Sequence, residues 1–209
     1  MDIKPRKDRD SRREAILDIA AELFLDEGFE ATSMSTIAAR VGGSKSTLYN
    51  YFKSKEEIFQ AHIERYCNWL SEEIFHLLDD EGDDVSAALA RIGRRYVTNV
   101  MSDHNMRHFR LIVAAAERSP DLGEAFYEAG PLRGARLLSG FLERMRDKGL
   151  IDAADPLSAA HQFIGLCQNR MFKARLVGYS NAPTPQEVEA EVDAAVGTFM
   201  AAFAHRAAL

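Results

Sequence analysis

Residues 33–59 read SMSTIAARVGGSKSTLYNYFKSKEEIF, and this stretch decides the fold. Ser33 can cap a short helix carrying Ile37, Ala38 and Val41 on one face. Gly42-Gly43 breaks that helix, and Ser44 can cap a second one with Leu48 and Phe52 at i,i+4. Ser54-Lys-Glu-Glu57 has the capping-box pattern and opens a long helix after these two. Two short helices joined by a glycine turn, their apolar faces inward, describe a helix-turn-helix. The residues left outward in the second helix are Ser44, Lys45, Ser46, Thr47, Tyr49, Asn50 and Tyr51. A short polar, aromatic face without carboxylates suits a major groove, where hydroxyls, lysine and amides meet base edges.

Charge follows the same division. The chain has 209 residues and a formal net charge of −6. Residues 1–55 hold ten Lys/Arg against nine Asp/Glu, a balance of +1, and the remainder carries −7. Ala31–Lys55 contains four bases (Arg40, Lys45, Lys53, Lys55) and no acid. Upstream, Lys4, Arg6, Lys7, Arg9 and Arg12 form a basic arm, either a solvated tail or a phosphate and minor-groove contact. Local field decides phosphate contact more than the whole-chain sum does.

Working outward, helical periodicity continues to both ends, so the fold class is all-α. Ser11-Arg-Arg-Glu14 has a capping-box pattern and should open the first helix, with Ile16, Ile19, Ala20, Leu23 and Phe24 on its inner face and Gly28 at its end. The long fourth helix shows Ile58, Phe59, Ile63, Tyr66, Leu70, Ile74 and Leu77. Further helices are expected near 85–101, 104–117, 121–129 and up to Lys148. Asp155-Pro156 and Thr184-Pro-Gln-Glu187 should open the last two. About nine helices result. The division expected is a DNA-binding domain over 1–55 with its arm, and a ligand-binding and dimerisation domain over 56–209.

No apolar run is long enough for a membrane span, and the N-terminus lacks the apolar region of a secretory signal, which points to a cytoplasmic protein. Cys67 and Cys167 read as two buried thiols. His104 and His108 stand at i,i+4, a spacing that can hold a metal, but a solvated or capping role is preferred, and no metal or cofactor is expected. Candidate catalytic residues are absent: there is no phosphate loop, nucleotide fingerprint, Ser-His-Asp order or spaced carboxylate set. An all-α enzyme, or a binding module without DNA recognition, is the alternative.

From Ile16 to Phe59 the chain resembles the TetR/AcrR family of regulators. The matching residues include Ala20-Ala21-Glu-Leu-Phe, Gly28-Phe-Glu-Ala-Thr-Ser, Ile37-Ala38-Ala39 and the segment Gly43–Phe59. The later stretches Phe109–Arg118 and Leu122–Pro131 resemble the AefR-like regulatory domain. One departure is Gly43, where valine or isoleucine is commoner. The resemblance implies a homodimer, joined through its last two helices, that binds a palindromic operator, usually as a repressor released by a small molecule. It places DNA contacts at Ser33, Ser35 and Thr36, at Lys45, Ser46, Thr47, Tyr49 and Tyr51, and at Lys55. Of these, Lys45, Ser46 and Thr47 suit base edges, and Tyr49, Tyr51 and Lys55 suit phosphates.

For an effector, bulky adaptable side chains at Tyr66, Trp69, Tyr96, Met101, Phe109, Phe163 and Met171 suit an apolar or aromatic molecule, with ordinary core packing as the competing reading of each. Arg110 and Gln168, with Asn169, could orient it. The last helix shows Val188, Val192, Ala195, Val196, Phe199, Met200 and Phe203, a face wide enough to suggest that a second copy covers it. Helix four, a rod of about 36 Å at 1.5 Å per residue, is the expected transmitter between effector and DNA reader.

Overall fold

The computed structural model describes residues 6–78, 82 and 84–205. Among them are ten α-helices once the short Pro120–Tyr127 piece is counted, and the order is that expected. They are α1 Arg6–Glu27, α2 Met34–Val41, α3 Lys45–Tyr49, α4 Lys55–Phe75, α5 Val85–Val100, α6 Asp103–Ala116, α7 Pro120–Tyr127, α8 Arg133–Asp147, α9 Pro156–Leu176 and α10 Pro185–Phe203. No strand forms among the described residues; there is an isolated bridge between Ile151 and Ala204.

Several helix starts follow from short-range chemistry. The Asp155 carboxylate accepts the Ser158 N–H at 3.0 Å with Pro156 in the first turn. Thr184 and Glu187 form a reciprocal capping box. The first helix is a correction: α1 begins at Arg6, so Ser11 lies inside it rather than capping it. Lysine, arginine and aspartate continue upstream of Ser11 without a glycine or proline, so nothing in residues 6–10 stops helix propagation. Of the basic arm, Lys4 and the side chains of Arg6, Lys7 and Arg9 lie outside the described residues.

The chain divides into two compact units. The first takes in residues up to Cys67 together with Arg107–Ala129. Its core joins Ile16, Leu17, Ala20 and Phe24 of α1 to Ile37 and Ala38 of α2, Leu48 and Phe52 around α3, Ile58, Phe59 and Ile63 of α4, and Ile112 of α6. Phe24, Phe29 and Phe59 form a ring cluster with centroids 4.9–5.4 Å apart. Such pairs add about 0.5–1.5 kcal/mol beyond their burial. Arg65 bridges to Glu14 and Asp18, each at 2.6 Å, tying α4 to α1.

The second unit comprises Asn68–Met106 and Gly130–Leu209. Here α8 packs on α9, and α10 packs on both α5 and α9. The closest approach is at Gly93 of α5, where an added Cβ would lie 2.7 Å from Val192 Cγ1 of α10. A branched Cγ near its own backbone has little room to yield. Gly93→Ala should therefore cost about 1–3 kcal/mol by overpacking, seen as a lower urea midpoint with unchanged slope; an unchanged midpoint would show that α5 and α10 are not held this closely.

One correction comes from burial. Phe199 is 1% exposed and lies against Phe163 and Phe203, and Val188, Val192 and Val196 are also buried within the chain. The bulky stripe of α10 thus serves its own core, and the exposed residues include the small Ala190, Ala194, Gly197 and Ala201 beside the polar Glu189, Asp193 and Thr198. Met101 and Phe163 are 0% and 1% exposed and pack within the second unit's core. Cys67 and Cys167 are buried free thiols. Burial pushes each up to about 12, with the Glu191 charge adding to the effect at Cys167, so neither is a reactive thiolate.

Candidate nucleic-acid interface

The helix-turn-helix is set by three hydrogen-bonding devices. Ser33 Oγ accepts the Thr36 N–H at 3.1 Å and starts α2. Gly42, with φ of 70°, ends it in the left-handed conformation that lets the Gly42 and Gly43 N–H groups donate to Ala39 and Ala38 carbonyls. Ser44 Oγ then accepts the Thr47 N–H at 3.1 Å and starts α3. Leu48 and Phe52 point inward as their i,i+4 spacing requires, at 3% and 1% exposure, and Val41 is half-buried against the same core.

That inward anchoring determines what faces out. Ser35, Lys45, Ser46, Thr47, Tyr49 and Asn50 are exposed, together with Ser33 at the start of α2. Thr36 is half-buried and shares a 2.9 Å hydrogen bond with Ser33. Ser44 Oγ lies 2.8 Å from both Ser46 Oγ and Thr47 Oγ1, so three hydroxyls form one exposed cluster at the start of α3. Tyr51 is half-buried against the unit's core, unlike Tyr49, which is 44% exposed. Lys55, expected at phosphates, also has partners within its own unit. Its ammonium donates to the Phe29 carbonyl at 2.9 Å and sits 4.4 Å from the Phe29 ring centroid. It closes the corner after α1 whatever it does toward DNA. At Ser54, the Oγ accepts the Glu57 N–H, but the Glu57 carboxylate reaches the Lys53 N–H, one residue further back than a capping box requires.

The effector candidates fall in both units. Tyr66, Phe109 and Arg110 belong to the first; Trp69, Tyr96, Met101, Phe163, Gln168 and Met171 belong to the second. Within the first, Phe109 meets Phe126 edge-on at 5.5 Å. Tyr66 stacks on His108 at 4.4 Å with an interplanar angle of 6°, and His62 lies 5.4 Å from His108. His62 and His108 are 5% and 4% exposed. His108 is therefore a buried ring rather than a solvated or capping one, while His104 on the same helix is exposed. His62 carries no apolar signal in the sequence; only its i+4 relation to the expected inward Tyr66 hints at it. Burial raises the Tyr66 hydroxyl well above its usual range. In the second unit the Gln168 amide donates to the Tyr96 hydroxyl at 2.6 Å. Trp69 is half exposed, and α9 is kinked at Asn169. Among the described residues no cluster of three metal-ligating side chains occurs, and no helix is long and apolar enough to cross a membrane.

Residues 16–62 match the family model for bacterial regulatory proteins of the tetR family, and residues 87–205 match the AefR-like transcriptional repressor C-terminal domain, more than half of the chain. The chain belongs to the TetR family. The flavonoid-responsive regulator FrrA, a solved structure, is 33% identical with a TM-score of 0.82, over 95% of this chain and 100% of that one. Among curated relatives, the transcriptional activator FasR of Mycolicibacterium smegmatis is 43% identical over 63 residues, 30% of this chain and 29% of FasR. The transcriptional repressor KstR2 of the same organism is 36% identical over 69 residues, 33% of this chain and 34% of KstR2. The chain thus matches about a third of the length of these curated relatives. This TetR-family member is a transcriptional regulator with a DNA-binding N-terminal domain, and its relatives are regulators, not enzymes.

Proposed function

We propose that this protein is a repressor that binds a palindromic operator as a homodimer in the cytoplasm and is released by an apolar or aromatic small molecule. The observation that carries the reading is the outward face of α2 and α3: hydroxyls, Lys45 and Tyr49, exposed together in a 31–55 segment without a carboxylate. Lys45, Ser46 and Thr47 would read base edges, Tyr49, Tyr51 and Lys55 would meet phosphates, and Ser33, Ser35 and Thr36 on α2 would add further contacts.

Dimerisation is supported by the outward face of α10, where Ala190, Ala194, Gly197 and Ala201 recur at helical spacing; an added Cβ at Gly197 would meet no other atom within 4 Å. Small residues let a second helix approach closely, and a two-fold axis would put the same face on both sides. FrrA, similar over its whole length, is named as flavonoid-responsive, which favours an aromatic effector here. The side chains proposed for effector binding are Tyr66, Phe109 and Arg110 in the first unit, and Trp69, Tyr96, Met101, Phe163, Gln168 and Met171 in the second. Helix α4 carries Lys55 at one end and Trp69 and Leu70 toward the other, which makes it the proposed transmitter. The FasR match favours activation as a second reading, since that relative is an activator. Light scattering should give twice the 23.4 kDa chain mass, and a reporter fused to the target promoter should rise when the gene is deleted. A 23.4 kDa species would refute the dimer, and a falling reporter would favour activation.

A further inference from the structure

Two neighbouring arginines of α1 reach onto the helix-turn-helix. Arg12 Nη2 donates to the Val41 carbonyl at 3.1 Å, in the last turn of α2, where a helix leaves its carbonyls without intrahelical partners. The Arg13 guanidinium sits 5.0 Å from the Phe52 ring centroid, just beyond α3. Gly43, in the turn itself, has no side chain to hold that turn. A Cβ placed there would lie 3.4 Å from Arg12 Nη2 and 3.9 Å from Thr47 Cβ. A cavity of about 10 Å³ opens beside it, lined by Arg12, Ile16, Ala38, Val41, Gly43 and Thr47 among others.

We infer that Arg12 is a positioning residue for the recognition helix: its guanidinium takes the place of the side chain that Gly43 lacks and fixes α3 against α1 and α2. Three observations converge on this. One Arg12 donor is spent on a helix-end carbonyl, a bond a phosphate ligand would not need. The same guanidinium is the nearest group to the missing Cβ. Thr47, at the start of α3, is the next nearest. Without the clamp, α3 would spend part of its time away from the reading position, and affinity falls by the fraction of molecules that are competent. Arg12 and a larger residue at 43 compete for one space, so their effects are not additive. The inference rests on this unit binding DNA.

The test uses the full chain and a duplex that the wild-type protein selects from a random-sequence library. Arg12→Ala should weaken binding about tenfold per half-site, the scale of one hydrogen bond to a charged group, with base preference and salt slope unchanged. Gly43→Val alone should give no gain, because it displaces the guanidinium. Gly43→Val in the Arg12→Ala background should restore affinity to within about twofold by filling the vacated space. Amide exchange across residues 43–49 should quicken in Arg12→Ala and return in the double variant. A salt slope reduced by about one unit without rescue would make Arg12 a phosphate contact and overturn the inference; so would unchanged exchange in Arg12→Ala. If Arg12→Ala does not fold, Arg12→Met, which keeps an unbranched stem, takes its place. A wild-type protein that selects no duplex refutes DNA reading instead, and the exchange measurement still decides the clamp.

Discussion

Phe199→Glu should unfold the second unit rather than release a folded single chain. Phe199 is 1% exposed, with the Phe163 ring at 5.5 Å and the Phe203 ring at 4.7 Å. Removing a buried phenyl costs about 3–5 kcal/mol. Placing a carboxylate there without a partner adds several more, or forces its protonation. Against a total stability of about 5–15 kcal/mol, the sum leaves little folded protein. Circular dichroism and size exclusion should show lost helix and aggregation. Ala194→Arg is the contrasting variant. Its side chain is exposed on α10, so helix content should be retained while the mass falls to the 23.4 kDa chain. A native-like, single-chain Phe199→Glu protein would instead place Phe199 at an intermolecular surface.

The contrast shows where the sequence is legible. A stripe at 3.6-residue period reports that one face of α10 is covered, but not whether the chain or a second copy covers it. Val192 meets Gly93 of α5 and Phe199 meets Phe163 of α9, while Ala190, Ala194 and Gly197, with their poor apolar signal, face out among polar neighbours. Features set within four residues read well: Ser33, Ser44, Asp155 and Thr184 cap the helices they should. Ser11 does not, because the same serine-to-glutamate spacing fits a helix interior equally well when helix-compatible residues precede it. His62, His108 and Gly93 lay beyond reach for a different reason. Their roles depend on partners far along the chain: a ring stack between α4 and α6, and a close approach of α5 to α10.

The second large effect is on DNA. Lys45→Ala combined with Thr47→Ala should leave stability within about 0.5 kcal/mol, as both positions are exposed and Ser44 Oγ still caps α3 through the Thr47 N–H. Each lost base contact costs about 1–3 kcal/mol. With two positions in each of two half-sites, specific binding should fall by roughly a thousandfold or more. Binding to arbitrary sequence should survive in part, because phosphate contacts carry it. Equal losses on operator and arbitrary DNA would mean that these two side chains meet backbone and that another part of the face reads the bases.

Sequence reading by α3 in a dimer can be measured directly. Wild-type protein is titrated, at a single fixed salt concentration, against the duplex it selects from a random library and against a scrambled duplex of equal length and composition. The selected sequences should share an inverted repeat and be preferred about 10³-fold or more over the scrambled duplex. Equal affinity for the two duplexes, with no repeat enriched, would contradict it.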